Sequence, residues 1–131
     1  FIVDREKLIQ AILNIARNGA QAMKLNNQDN MKLSFVTRAE RQIVFRKKKH
    51  ATAIRIDIID NGPGIKNELI DKIFFPLVTG NENGSGLGLS LAQNLISLHQ
   101  GMIDCHSVPG KTVFSIILPI ENNLMPTQEK K

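Results

Sequence analysis

Apolar residues recur at helical spacing near the start of the chain: Leu8, Ile12, Ile15, Gly19, Ala22 and Met23 form one stripe. Asp4 stands where an N-cap belongs, and Val3 with Leu8 fits a hydrophobic staple across it. The turn formers of KLNNQDN, 24–30, close this helix, and the period then drops to two. MKLSFV, 31–36, turns Met31, Leu33 and Phe35 to one side as a half-buried strand; Ile43, Val44 and Phe45 can form a second. AIRIDIID, 53–60, alternates Ile54, Ile56 and Ile58 and is the clearest strand of the chain. NGPG stops it, because two glycines and a proline forbid continuation. KNELIDKIF, 66–74, has the pattern of a short amphipathic helix, and LGLSLAQNLISLHQ, 87–100, that of a longer one with Gly101 as its C-terminal stop. MIDCHS and TVFSIILPI are strands joined into a hairpin by the turn VPGK.

This order predicts an α+β fold, a two-layer sandwich with about three helices on one face of a mixed, mostly antiparallel sheet. Residues 1–121 make one domain, and the polar stretch 122–131 is a loose tail. A chain of 131 residues, 42% hydrophobic and 22% charged, suits a single soluble domain. No apolar run approaches the roughly 20 residues that span a bilayer, and no leader pattern is present. A chain that opens at Phe1 rather than Met is expected to be part of a longer protein. The net charge of +5 favours anionic partners. Much of that excess lies in RKKK, 46–49, which reads as a solvated turn. With no Tyr or Trp, and no Phe interleaved with the basic run, nucleic-acid binding is not expected. Cys105 is the only cysteine, so an internal disulfide is excluded and a plain strand residue is expected.

Three stretches are too specialised for scaffold. On the first helix Asn14 and Asn18 are four apart and share a face, with Gln10 and Gln21 extending the row and Arg17 beside it. Asparagine is a poor helix former unless its amide has a partner, and such amides offer oxygen to a hard cation or N–H to phosphate. An exposed polar face is the plainer reading of that row. In DNGPGI, 60–65, Asp60 ends a strand that otherwise reads as core, so its carboxylate needs a donor; a heterocycle's exocyclic amine is one. A surface Asx turn would also account for it. In GNENGSGLGL, 80–89, glycines crowd the start of a helix whose N–H groups and dipole favour an anion. The spacing fits neither the P-loop nor the dinucleotide fingerprint.

In order, these stretches resemble the ATP-binding catalytic domain of sensor histidine kinases, within the superfamily of gyrase, Hsp90, histidine kinases and MutL. QAILNIARNGAQAM is similar to its N box, DNGPGI to the G1 box, IFFPLVTG to the F box, GSGLGLSLAQNLI to the G2 box and PGKTVFSIILPI to the closing strands. RNGAQAM and FPLVTGNENGSGLGLSLAQNLI resemble the nitrogen-regulation branch most. The resemblance implies the Bergerat ATP-binding fold, with ATP and Mg²⁺ as cofactors. Asn18 would ligate the Mg²⁺, with Asn14 and Arg17 nearby, and Asp60 would accept from the adenine amine. Gly62, Gly64 and Ile65 would line the base pocket, with Thr112 on its far side. Phe75 and Thr79 fall in the F box. Residues 76–86 would form a lid hinged at Gly80 and Gly84. Gly84, Ser85, Gly86, Leu87, Gly88 and Leu89 would present backbone to the phosphates.

Gyrase-like and Hsp90-like ATPases carry a water-activating Glu four residues before the metal asparagine. Asn14 occupies that position, and a neutral amide is no general base. Phosphoryl transfer is therefore implied rather than hydrolysis. His50, His99 and His106 have no helical phosphoacceptor context, so the acceptor histidine is expected on an upstream dimerisation domain of a homodimeric, cytoplasmic protein. A response regulator and a PII-type signal protein are the implied partners; no membrane contact by this domain is. An anti-sigma-type serine kinase, or a nucleotide-dependent docking domain without transfer, are the alternatives.

Overall fold

The computed structural model describes residues 4–45, 48–75 and 88–120. Its elements run α1 (Arg5–Leu25), β1 (Leu33–Phe45), β2 (Lys48–Asp60), α2 (Asn67–Ile70), α3 (Gly88–Leu98), β3 (Met102–Val108) and β4 (Lys111–Ile120). The four strands form one sheet in the order β1-β2-β4-β3, every neighbouring pair antiparallel. Helices α1 and α3 pack side by side on one face of the sheet, which gives the expected two layers.

Asp4 caps α1 as its pattern predicts, its carboxylate accepting from Lys7 N–H at 3.2 Å. Val3, the other half of the staple, lies outside the described residues. The core is built from Ala11 and Ile15 of α1, Leu89, Ala92 and Ile96 of α3, Ile56 and Ile58 of β2, Ile103 of β3, and Phe114, Ile116 and Leu118 of β4. Phe74 meets Phe114 edge to face at 6.2 Å.

Four features differ from expectation. Met31 and Phe35 do not face a core: both are more than half exposed, and only Leu33 packs inward. Phe35 is the partner of the buried Ile58, so it is on the helix-facing side, but β1 is the sheet edge and α1 lies over β2. The stretch from 33 to 45 is one long strand rather than two short ones, paired with β2 along its length. The helix expected over 66–74 is a single turn, and hydrogen-bonded turns continue from it to Phe75. Finally, α3 ends with Gln100, not Gly101, in the left-handed conformation, at φ 64°. Gly101 is instead required by packing: its N–H donates to Ile96 O, and a Cβ there would sit 2.6 Å from Ile117 O.

Candidate functional site

Strand β2 ends at Asp60, whose strand partners are Leu33 on β1 and Thr112 on β4. Thr112 in turn pairs with Ser107 on β3. A polar row thus crosses the helix-facing end of an otherwise apolar sheet. Asp60 is 6% exposed, and among the described residues its carboxylate has one hydrogen bond, from Gly62 N–H to Oδ1 at 2.9 Å. Burial raises its pKa above the ordinary carboxylate value, and the Gly62 N–H offsets this only in part.

The backbone is shaped around that carboxylate. A Cβ on Gly62 would meet Asp60 Oδ1 at 2.9 Å, and one on Gly19 of α1 would meet Oδ2 at 2.8 Å. Gly64 adopts φ 88°, and a Cβ there would lie 2.9 Å from Val108 O. The loop is fastened to the β3–β4 hairpin at two points. Gly110 N–H donates to Gly62 O at 2.9 Å, and Ile65 N–H donates to Ser107 Oγ at 2.8 Å. Ser107 Oγ and Thr112 Oγ1 share a further hydrogen bond of 2.7 Å.

Beside this loop opens a cavity of about 590 Å³ between α1, α2 and the start of α3. Ala22, Ile65, Leu69, Ile73, Leu89 and Pro109 give it apolar walls, while Asn18, Lys66 and Asn67 supply polar groups. A largely apolar pocket of this size with a few polar groups suits a small organic ligand. Of the sequence-predicted residues, Asn18, Gly64, Ile65 and Leu89 line it. Asp60, Gly62 and Thr112 are buried in the adjoining polar row. Asn14 is half-buried on α1, and its carbonyl oxygen is 4.0 Å from where a Cβ of Gly88 would stand, so α1 meets the start of α3 there. Arg17 is exposed, and Phe75 is 58% exposed; neither lines the cavity. Thr79, Gly84, Ser85, Gly86 and Leu87, with the rest of the expected lid, lie outside the described residues.

Sequence reasoning missed Lys66, Pro109 and above all Ser107. The last was accessible: a hairpin closed by VPGK makes Ser107 and Thr112 cross-strand partners. Cys105 packs against the core, where burial and the charges of Asp104 and Asp60 push its thiol up to about 12. It stays protonated at neutral pH and is no nucleophile. Among the described residues no group of three His, Cys, Asp or Glu side chains could hold a metal, and no helix is long and apolar enough to cross a membrane.

Comparison with known proteins shows the family and the fold. The family described as histidine kinase-, DNA gyrase B-, and HSP90-like ATPase matches residues 3–122. The sensory histidine kinase/phosphatase NtrB of Vibrio alginolyticus is 47% identical over 119 residues, 91% of this chain and 33% of that protein. The NtrB of Rhodobacter capsulatus is 38% identical over 118 residues, 89% of this chain and 33% of that protein. The chain thus spans about a third of the length of these relatives. Among solved structures, the catalytic domain of histidine kinase ThkA superposes with a TM-score of 0.70 at 27% identity, covering 89% of this chain and 68% of that one. The mycobacterial sensor histidine kinase MprB shares the fold, with a TM-score of 0.67 at 22% identity over 88% of this chain and 72% of that one. The chain belongs to the histidine kinase-, DNA gyrase B- and HSP90-like ATPase family, as an ATP-binding histidine kinase domain whose relatives include the NtrB sensor kinases.

Proposed function

We propose that this domain holds ATP in the cavity beside Asp60 and delivers its γ-phosphoryl group to a histidine on an upstream dimerisation domain of the same protein. The observation that carries the reading is the Asp60 carboxylate, buried and short of donors just before the loop whose Pro63, Gly64 and Ile65 line an apolar cavity. An adenine amine supplies the missing donor, and Ile65 and Pro109, with the two glycines, accommodate a flat ring. Asn18 on the cavity wall would hold Mg²⁺. One neutral oxygen suits this cation, which takes most of its ligands from phosphates and water. Bound there, the ion neutralises phosphate charge. The remaining catalysis is positioning, as phosphoryl transfer requires. Asn14 lacks the basicity to activate water, so transfer is favoured over hydrolysis.

Gly88, at the start of α3, is proposed as a backbone contact to the phosphates; the expected lid, 76–86, and Gly84, Ser85, Gly86 and Leu87 lie outside the described residues. NtrB relatives support nitrogen-regulation signalling as the setting; a cytoplasmic homodimer, a response regulator as phosphoacceptor and a PII-type protein as modulator complete the proposal. Two measurements test the reading. Calorimetry with ADP and Mg²⁺ should show binding that Asn18→Ala and Asp60→Ala abolish; unchanged affinity in both variants would remove the site. Mixed with a separate dimerisation domain carrying its histidine, the domain should transfer label from γ-labelled ATP to that histidine. Label on this chain alone would refute the division of labour.

A further inference from the structure

Three side-chain amides stitch the connection after α1 to Asn61, the residue between Asp60 and Gly62, and backbone groups decide which way round they stand. Asn61 Oδ1 accepts from Lys32 N–H at 2.8 Å, and its Nδ2 donates to Asn30 O at 2.8 Å. Gln28 Nε2 faces three oxygens: Asn61 Oδ1 at 3.0 Å, Asn61 O at 3.1 Å and Asn30 O at 3.2 Å. Two of these are backbone carbonyls, so the nitrogen end of the Gln28 amide must face them. Its other end, Oε1, accepts from Asn26 Nδ2 at 3.0 Å. Asn26 is the C-cap of α1, and Asn27 after it is left-handed at φ 51°. The relay therefore runs from the end of α1 to the start of the loop that follows β2. Both of its ends adjoin the cavity. Ala22, Leu25 and Asn26 line it from α1, and Pro63, Gly64 and Ile65 line it from the loop. Gln28 is half-buried and does not line it. Its bonds to Asn61 are partly buried, whereas the Asn26 bond is exposed to competing water.

We infer that Gln28 is a positioning residue for the cavity: its amide ties the end of α1 to the loop after β2 and holds these two stretches of wall at a fixed separation before a ligand enters. Binding then does not have to order the loop, and the affinity that ordering would consume is kept. The tie to Asn61 carries most of this effect, because water competes for the Asn26 bond. Gln28 acts only through the groups it holds, and none of them is Asp60. The inference rests on the nucleotide reading above.

The test is calorimetry of the chain with ADP and Mg²⁺, which separates affinity from the fraction of competent molecules. Gln28→Met keeps the length of the side chain and loses every hydrogen bond. It should raise Kd about tenfold at unchanged stoichiometry. Gln28→Lys keeps a donor for the Asn61 and Asn30 oxygens but cannot accept from Asn26, and it should return Kd to within about threefold of the unmodified chain. Gln28→Ala takes the place of the methionine variant should that one fold poorly. An unchanged Kd in the hydroxyl- and amide-free variants overturns the inference, and so does a fall in stoichiometry at unchanged Kd, which would make Gln28 a support for folding alone. Failure of Gln28→Lys to recover affinity overturns the assignment of the effect to the Asn61 tie. If the unmodified chain bound no ADP, the proposed function would fall and this inference with it; equal ADP binding by the unmodified chain and Gln28→Met removes the inference alone.

Discussion

Two buried aspartates sit three residues apart on β2, and their fates differ. Asp57 and Asp60 are 4% and 6% exposed, and the odd spacing sends them to opposite faces of the sheet. Asp57, on the face away from the helices, receives Ser115 Oγ at 2.7 Å, Arg55 Nε at 3.0 Å and Arg38 at 3.0 Å. Burial alone would raise its pKa, but these donors outweigh burial and hold it below the ordinary carboxylate value. Asp60 has one backbone N–H and is shifted the other way. Equal burial with unequal pairing separates a carboxylate whose donors lie within the fold from one that has a single donor among the described residues.

The largest expected effect breaks the comparison at the ligand. Asp60→Asn should weaken ADP binding by about 100-fold or more, because the amide presents a donor as well as an acceptor where only acceptance serves. Asp57→Asn should change it by no more than about threefold by calorimetry. Stability should show the reverse. Asp57→Asn weakens the pairing of the fully buried Ser115 and the partly buried Arg55 and should cost about 2 kcal/mol in urea unfolding, with little from the half-exposed Arg38. Asp60→Asn should cost nothing or stabilise slightly, since it removes a poorly compensated buried charge. A loss at Asp60 equal to that at Asp57 would mean the two carboxylates are not different in kind.

Gly62→Ala should lower ADP affinity by about tenfold, a cost of about 1.4 kcal/mol, because its Cβ presses on Asp60 Oδ1 and on Met23. The Asp57 pairing should survive it. The smallest effect is in pH. ADP binding should weaken on acidification at a pH above the usual carboxylate range near ~4, because protonated Asp60 loses its acceptor role. Asp57 has the opposite sign. Its folded pKa lies below the unfolded one, so its stabilisation is present above about pH 4 and disappears as pH falls through the folded value. Urea titrations of the unmodified chain and Asp57→Asn should converge at that acidic end.

The two aspartates also mark how far the sequence could be read. Asp60 stood out because it closes an alternating apolar run and is followed by two glycines. Asp57 did not, since alternation already assigned it to the far face and nothing local announces Ser115, fifty-eight residues on. Period two identified the residues that share a face at Ile54, Ile56 and Ile58. It gave the same pattern at Met31, Leu33 and Phe35, where only Leu33 packs against the core. Pattern reports the geometry of a strand, and coverage by a second layer is a tertiary fact. Gly101 shows the same limit. Helix-stop chemistry singled it out correctly as a glycine position, but the reason is a carbonyl of β4 against its Cα. Ser107 needed the hairpin register, which a turn motif supplies only once both strands are placed.

Strand β2 has one last consequence, for how the molecule opens. From Thr52 to Asp60 it has neighbours on both sides, β1 and β4, whereas among the described residues Lys48 to His50 pair with β1 alone. One continuous strand therefore belongs to two cooperative units. Amides of the flanked segment should exchange with solvent only as the whole sheet comes apart, while those nearer the hairpin tip should exchange orders of magnitude faster, through fraying that leaves the Asp60 end untouched.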